Sequence, residues 1–95
     1  MRYTKRDSIH SAVVDAFRAC GLSVYDAAHA GNSFPDLVVG CNGITYLVEL
    51  KTGNAPQTPG QAAFAKAWRG SPVVVLRSVK DCVDWACKIR RARAA

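Results

Sequence analysis

The chain is short of acidic residues. Its 95 residues include 13 Lys and Arg but only seven Asp and Glu, so the formal net charge is +6. One of the seven acids is a glutamate, Glu49, and the rest are aspartates. A positive balance suits a polyanionic partner. Many of the basic residues lie near the two ends of the chain, however, where phosphate contacts and solvated tails are equally good interpretations.

Long apolar runs are also missing. No stretch approaches the ~20 apolar residues that a membrane span requires, and the basic N-terminus is a poor match to a signal peptide. We therefore expect a cytoplasmic protein. The four cysteines follow no metal-ligand spacing, and we expect them to be reduced and partly buried. The length predicts one domain over residues 1–95, with a basic C-terminal tail at about 88–95.

The chain does contain clear helix starts and strand-like runs. "TKRD", "TPGQ" and "SVKD", which begin at residues 4, 58 and 78, match a capping box or its Asp variant. The strand-like runs are "LSVYDAA", "DLVVG", "ITYLVELKT" and "PVVVLR". The first predicts an edge strand and the last a buried strand. The resulting order, α-β-β-β-α-β-α, predicts an α/β domain with a mixed central sheet flanked by helices.

The central pair of strands reads as a hairpin around Asn42-Gly43, the strongest short signal for a type I′ turn. That turn pairs Val39 with Tyr46 and, further along, Asp36 with Glu49. Because side chains alternate along a strand, one face of the hairpin is then wholly apolar. The other face carries Asp36, Glu49 and Lys51.

Two facing carboxylates lie with Cβ atoms roughly 5 Å apart and repel each other. The arrangement is explained if Mg²⁺ or Mn²⁺, which prefer oxygen ligands, binds between them. The alternative is structural: Asp36 caps a turn after Pro35, while Glu49 and Lys51 form a solvated strand edge with a weak local ion pair. A register slip of one residue would also separate the two acids.

The pattern "PD" at 35–36 followed by "ELK" at 49–51 resembles the PD-(D/E)XK nucleases. With the later "TPGQ" and "GSPVVVLRS", residues 6–78 resemble the small stand-alone VRR-NUC proteins of phages and bacteria, which are related to Holliday junction resolvases. The resemblance implies a restriction-endonuclease-like core and metal-dependent hydrolysis of DNA. It also implies Asp36, Glu49 and the carbonyl of Leu50 as metal ligands, with Lys51 beside the attacking water.

Gln61 matches a glutamine of that family in the helix after the hairpin, and it is the remaining candidate catalytic residue. It can equally be the capping partner of Thr58. The first helix departs from the family pattern, because Ala12 stands where a metal-site glutamate is expected. Three polar residues of that helix are possible substitutes, namely Asp7, His10 and Asp15.

The sequence thus predicts a Mg²⁺- or Mn²⁺-dependent endonuclease that acts on four-way junctions or flaps, working as a homodimer. A domain this small has little surface for reading bases, which favours selection by DNA structure. One alternative is a non-catalytic nucleic-acid-binding module of the same fold. Another is a small structural or interaction protein of a phage, in which the charge serves solubility.

Overall fold

The computed structural model describes the backbone of residues 5–92 and the side chains of residues 9–92. This part of the chain forms three helices and four strands, in the predicted order. The helices are α1 (Lys5–Ala19), α2 (Pro59–Ala67) and α3 (Val79–Ala92). The strands are β1 (Ser23–Asp26), β2 (Leu37–Cys41), β3 (Ile44–Leu50) and β4 (Val74–Leu76).

The strands form one mixed sheet in the order β1-β2-β3-β4. β1 pairs antiparallel with β2, β2 pairs antiparallel with β3, and β4 runs parallel to β3. A parallel neighbour requires a crossover, and the segment that contains α2 provides it. The predicted α/β class, the mixed sheet and the edge position of β1 are confirmed.

Helix ends follow the predicted capping chemistry where they are described. Thr58 and Gln61 form a complete capping box at α2, with Pro59 at the first helical position. At α3, Ser78 Oγ accepts a hydrogen bond of 3.0 Å from the amide of Asp81. The predicted cap of α1 at Thr4 lies outside the described residues.

The hydrophobic core lies between α1, α3 and one face of the sheet. Phe17 of α1 is fully buried and contacts Trp85 of α3, with ring centroids 5.6 Å apart. The sheet contributes the face of the hairpin that was predicted to be apolar. Its core residues include Leu37, Val39, Val48 and Leu50. Burial of these side chains is the main stabilising term for so small a domain.

Helix α2 lies outside that core, and none of its residues is buried. Aromatic side chains connect this helix with the loop before β2 and with the residue that follows the helix. Phe64 meets Phe34 edge to face, with centroids 5.5 Å apart, and Trp68, just after the helix, stacks on Phe64 at 5.5 Å. The side chain of Trp68 remains 41% exposed.

Two sequence predictions need correction. The run from Pro72 to Arg77 was expected to be a buried strand, but β4 is only three residues long and lies at the edge of the sheet, with Leu76 as its buried residue. The basic segment predicted as a tail at about 88–95 begins inside α3, which continues to Ala92. Within it, Arg90 Nη1 donates a hydrogen bond of 2.6 Å to the carbonyl of Cys20. Residues 93–95 lie outside the described part.

Within the described residues, no helix is long and apolar enough to cross a membrane. All four cysteines are free thiols, as predicted. Cys20 and Cys41 are half-buried, Cys82 is buried and Cys87 is exposed. Burial, helped by the negative charge of Asp81, raises the pKa of the Cys82 thiol to about 11. Cys82 is therefore a protonated core residue at neutral pH.

Candidate active site

The hairpin register brings the two predicted acids to one end of the strand pair. Asn42 and Gly43 both have positive φ, as a type I′ turn requires, and Val39 pairs with Tyr46 as expected. The last bridged pair of the hairpin is Leu37 with Val48. Asp36 directly precedes Leu37 and Glu49 directly follows Val48, so the two acids occupy the next opposed positions.

Both acids are buried. Asp36 is 5% exposed and Glu49 is 2% exposed, and they are the buried charged residues of the described side chains. The solvated strand edge considered as an alternative is therefore wrong for Glu49. Burial removes a carboxylate from water at a cost of several kcal/mol unless hydrogen bonds or opposite charge compensate.

Asp36 is held by the strand opposite. Its Oδ2 accepts a hydrogen bond of 2.8 Å from the amide of Leu50, 14 residues along the chain. The carbonyl of Asp36 accepts a further bond of 2.8 Å from the amide of Ala27, just after β1. Asp36 thus ties the start of β2 to both of its neighbours, and this bond to Leu50 runs across the hairpin rather than within a turn after Pro35.

Glu49 is held by a residue that the sequence did not single out. Gln57 Nε2 donates a hydrogen bond of 3.0 Å to Glu49 Oε2. Gln57 lies in the loop between β3 and α2, where no periodic pattern identifies inward-facing side chains. The bond orients the carboxylate and leaves Oε1 of Glu49 without a hydrogen bond from residues 9–92.

Lys51 follows β3 directly and is half-buried. Its amide donates a hydrogen bond of 3.0 Å to the carbonyl of Leu76 in β4, which fixes the backbone at this point. Its ammonium forms no ion pair with a carboxylate in the described part of the chain. A positive charge two residues after a buried acid is therefore available to a ligand.

Gln61 takes part in the capping box at the start of α2. Its Oε1 accepts a hydrogen bond of 2.8 Å from the amide of Thr58, and its own amide donates to Thr58 Oγ1 at 3.1 Å. Within the described residues its hydrogen bonds are limited to this capping box. Of the two interpretations of Gln61, the cap is the one observed, and Gln57 is the glutamine in contact with Glu49.

The first helix contributes one polar residue to the region. Ala12 and Asp15 are exposed, and the side chain of Asp7 lies outside the described part. His10 is half-buried and lines a cavity of about 190 Å³ together with Leu50 and Lys51. Of the three possible substitutes for a helix acid, His10 is therefore the one seen beside the hairpin end.

The donor set suits a hard divalent cation that keeps part of its water shell. In residues 9–92, no group of three His, Cys, Asp or Glu side chains could hold a metal ion. Mg²⁺ commonly binds one or two carboxylates and takes its remaining ligands from water and substrate phosphates. Asp36, Glu49 and the carbonyl of Leu50 meet that requirement in ligand type.

The chain was compared with protein-family models, with curated proteins and with solved structures. None of the three comparisons gives a match. The resemblance to PD-(D/E)XK nucleases therefore stays a prediction from the sequence motif.

The bond from Leu50 to Asp36 leads to a prediction about stability. Replacing Asp36 with Ala leaves the Leu50 amide buried without this acceptor, so the free energy of unfolding should fall by about 1–3 kcal/mol. Asp36→Asn keeps an oxygen acceptor and removes a negative charge next to Glu49, so it should lose much less. Urea unfolding followed by circular dichroism measures both.

Asp84→Ala is the matched control for that experiment. Asp84 is exposed and pairs with Lys80 within α3, so its removal should change the stability by less than about 0.5 kcal/mol. Equal unfolding midpoints for Asp36→Ala and the wild type would show that the hydrogen bond to Leu50 contributes no stability.

Proposed function

We propose that this chain is a Mg²⁺- or Mn²⁺-dependent DNA endonuclease related to the PD-(D/E)XK nucleases. The observation that carries the proposal is the pair of buried acids, Asp36 and Glu49, at the end of one hairpin. Two residues after Glu49 lies Lys51, whose ammonium has no ion-pair partner among the described residues. Two buried carboxylates side by side are costly for a small domain. A bound cation would compensate the two negative charges, which explains why the chain keeps both acids in a buried position.

Asp36, Glu49 and the carbonyl of Leu50 would hold the cation. When bound, it would neutralise charge on the scissile phosphate and lower the pKa of a water molecule. The hydrogen bonds from the Leu50 amide and from Gln57 fix one oxygen of each carboxylate. Such partners orient ligands before the metal arrives, which raises affinity.

In the proposed mechanism, Lys51 stabilises negative charge through its ammonium group. Its Nζ carries protons and can donate to the attacking water or to a non-bridging phosphate oxygen. A donor directed at charge that develops in the transition state lowers the barrier more than it strengthens binding. The absence of an acidic partner for Lys51 within the described residues favours this role over that of a structural ion pair.

Duplex DNA with a branch or a flap is the substrate class that the charges favour. The net charge is +6, and the last turns of α3 expose Lys88, Arg90 and Arg91. Phosphate contacts of this kind position a duplex without reading its sequence. Selection would therefore depend on DNA structure.

Cutting two strands of a junction requires two active sites, and a C2 dimer supplies them. Helix α2 is the best candidate for its interface. Lys66 is its one charged residue, its alanines at 62, 63 and 67 are exposed, and Trp68 is exposed at its end. A surface with little charge and an exposed aromatic side chain suits a second copy of this chain better than it suits DNA, because interface cores are depleted in charged residues and enriched in aromatic ones.

The alternative is a DNA-binding module without turnover. The absence of an acid at Ala12 in α1 favours it, since the described side chains then offer two carboxylates for metal instead of three. Three experiments test the proposal and separate it from this alternative.

The first experiment is a cleavage panel. Wild-type protein with Mg²⁺ or Mn²⁺ should cut a four-way junction or a flap faster than plain duplex, and Glu49→Gln should not cut either. Mn²⁺ at a hundred times its Kd should also stabilise the wild type by about 2.7 kcal/mol, and leave Glu49→Gln unchanged. Stabilisation without any cut DNA would support the binding module. Cleavage by Glu49→Gln at the wild-type rate would refute the assigned site.

The second experiment separates catalysis from binding at Lys51. Lys51→Ala removes one of 13 basic residues, so DNA affinity should change little. The single-turnover cleavage rate should fall by a hundred- to a thousandfold, the usual effect of removing such a group. Lys51→Arg should restore little, because a planar guanidinium does not replace a compact ammonium. Equal losses of affinity and rate would instead make Lys51 a phosphate anchor.

The third experiment concerns the dimer. Sedimentation velocity should find wild-type protein as a dimer, and Trp68→Lys as a monomer, because a charge is placed in an apolar interface. Tyr25→Lys is the matched control, since Tyr25 is an aromatic residue on β1 that is 70% exposed and lies outside α2. A monomeric wild type, or a dimeric Trp68→Lys, would rule out the α2 interface.

A further inference from the structure

A cavity of about 190 Å³ borders Leu50, one of the three proposed metal ligands. It lies where α1 meets the chain leaving β3, and Leu50 and Lys51 form part of its wall. Among residues 9–92, no carboxylate lines it. The lining residues are Ile9, His10, Leu50, Lys51, Thr52 and Ala55. A pocket of this size holds several waters or a phosphate group, and its two titratable side chains, those of His10 and Lys51, are both basic.

His10 is fixed in place by Asp26. Its Nε2 lies 3.1 Å from Oδ2 of Asp26, while the His10 side chain is only 13% exposed. The contact is an ion pair when the imidazole is protonated. Nε2 is the buried side-chain nitrogen of the described residues that has no hydrogen-bond partner.

Asp26 is itself held rigidly. The amide of Ala28 donates a hydrogen bond of 3.0 Å to its Oδ1. Partial burial raises the pKa of Asp26, but the Ala28 bond and the charge of His10, with a smaller contribution from His29, outweigh it and lower that pKa below its usual value. Asp26 is therefore an anion at neutral pH. From the edge strand β1, its Oδ2 contacts Nε2 of the imidazole.

We propose that this cavity is a phosphate subsite, in which His10, positioned by the contact of its Nε2 with Asp26, donates a hydrogen bond from its other ring nitrogen, Nδ1, to a phosphate oxygen of the bound DNA. The inference depends on the proposed function in taking that phosphate to be part of a DNA backbone. In this arrangement α1 contacts the substrate through the imidazole of His10. It also places a second donor in the same pocket as Lys51, so that one phosphate is held from two sides.

Variants of the pair test this role. His10→Ala should lower kcat/KM for the best DNA substrate by ten- to a hundredfold, the range for a hydrogen bond to a charged group. His10→Gln keeps a donor and should recover part of the loss. Asp26→Asn should fall between the wild type and His10→Ala, because the ring then loses its anchor. Ser11→Ala, an exposed residue next to His10 on α1, is the matched control and should cleave at the wild-type rate.

Binding without metal gives a readout that a purely structural role would not change. In EDTA, His10→Ala should bind a short duplex more weakly, and its plot of log affinity against log salt should be flatter if the ring binds as a cation. The chain has two histidines, so NMR can follow each ring separately. The duplex, and inorganic phosphate at higher concentration, should shift the ring signals of His10 and leave those of His29 in place.

The outcomes separate this inference from the proposed function. Wild-type cleavage and binding by His10→Ala and Asp26→Asn, with His10 signals that DNA does not move, would overturn the subsite while leaving the nuclease intact. A chain that cuts no DNA, but whose His10 signals shift with duplex and with phosphate, would keep the subsite and refute the nuclease. A lower unfolding midpoint for the variants with unchanged DNA binding would make the pair structural only.

Discussion

The two-residue turn at Asn42-Gly43 is the constraint on which the rest of the molecule depends. Its two positive φ angles fix the register of β2 against β3. In a strand, that register decides the face of every side chain at once, and a slip of one residue exchanges the faces. The same turn therefore sets the apolar face for α1 and α3 and brings Asp36 and Glu49 to one end.

The two faces of the hairpin do different work. The apolar face packs against α1 and α3 and provides most of the stability. Near the end of the hairpin, the two acids are removed from water; Asp36 accepts a hydrogen bond from the Leu50 amide and Glu49 accepts one from Gln57. A domain of this size is only marginally stable, so two buried charges lower its free energy of unfolding by a large fraction. Destabilising residues of this kind are typical of functional sites, where catalysis or binding requires them.

The parts of the structure that follow from local rules could be predicted. The hairpin register follows from Asn42-Gly43, and the start of α2 follows from Thr58 and Gln61. Side-chain contacts between distant segments could not be predicted in this way. The bond from Gln57 to Glu49 begins in an irregular loop, and the contact of His10 with Asp26 exists only because α1 packs beside β1. The edge position of β4 was missed for the same reason, since strand order is a property of the whole sheet.

The crossover between β3 and β4 is the part of the fold that can best accept insertions and surface substitutions. It includes a helix that buries no residue, and it is held by Arg77, which donates to the carbonyls of Gly53 at 3.2 Å and Ala55 at 2.6 Å. Lengthening a surface loop adds little entropic cost, since closure entropy grows only with the logarithm of length. Descendants of this sequence can therefore gain insertions or exchange the outer surface of α2 while the core stays the same. Gln57 is the point in the crossover where such change would reach the acids.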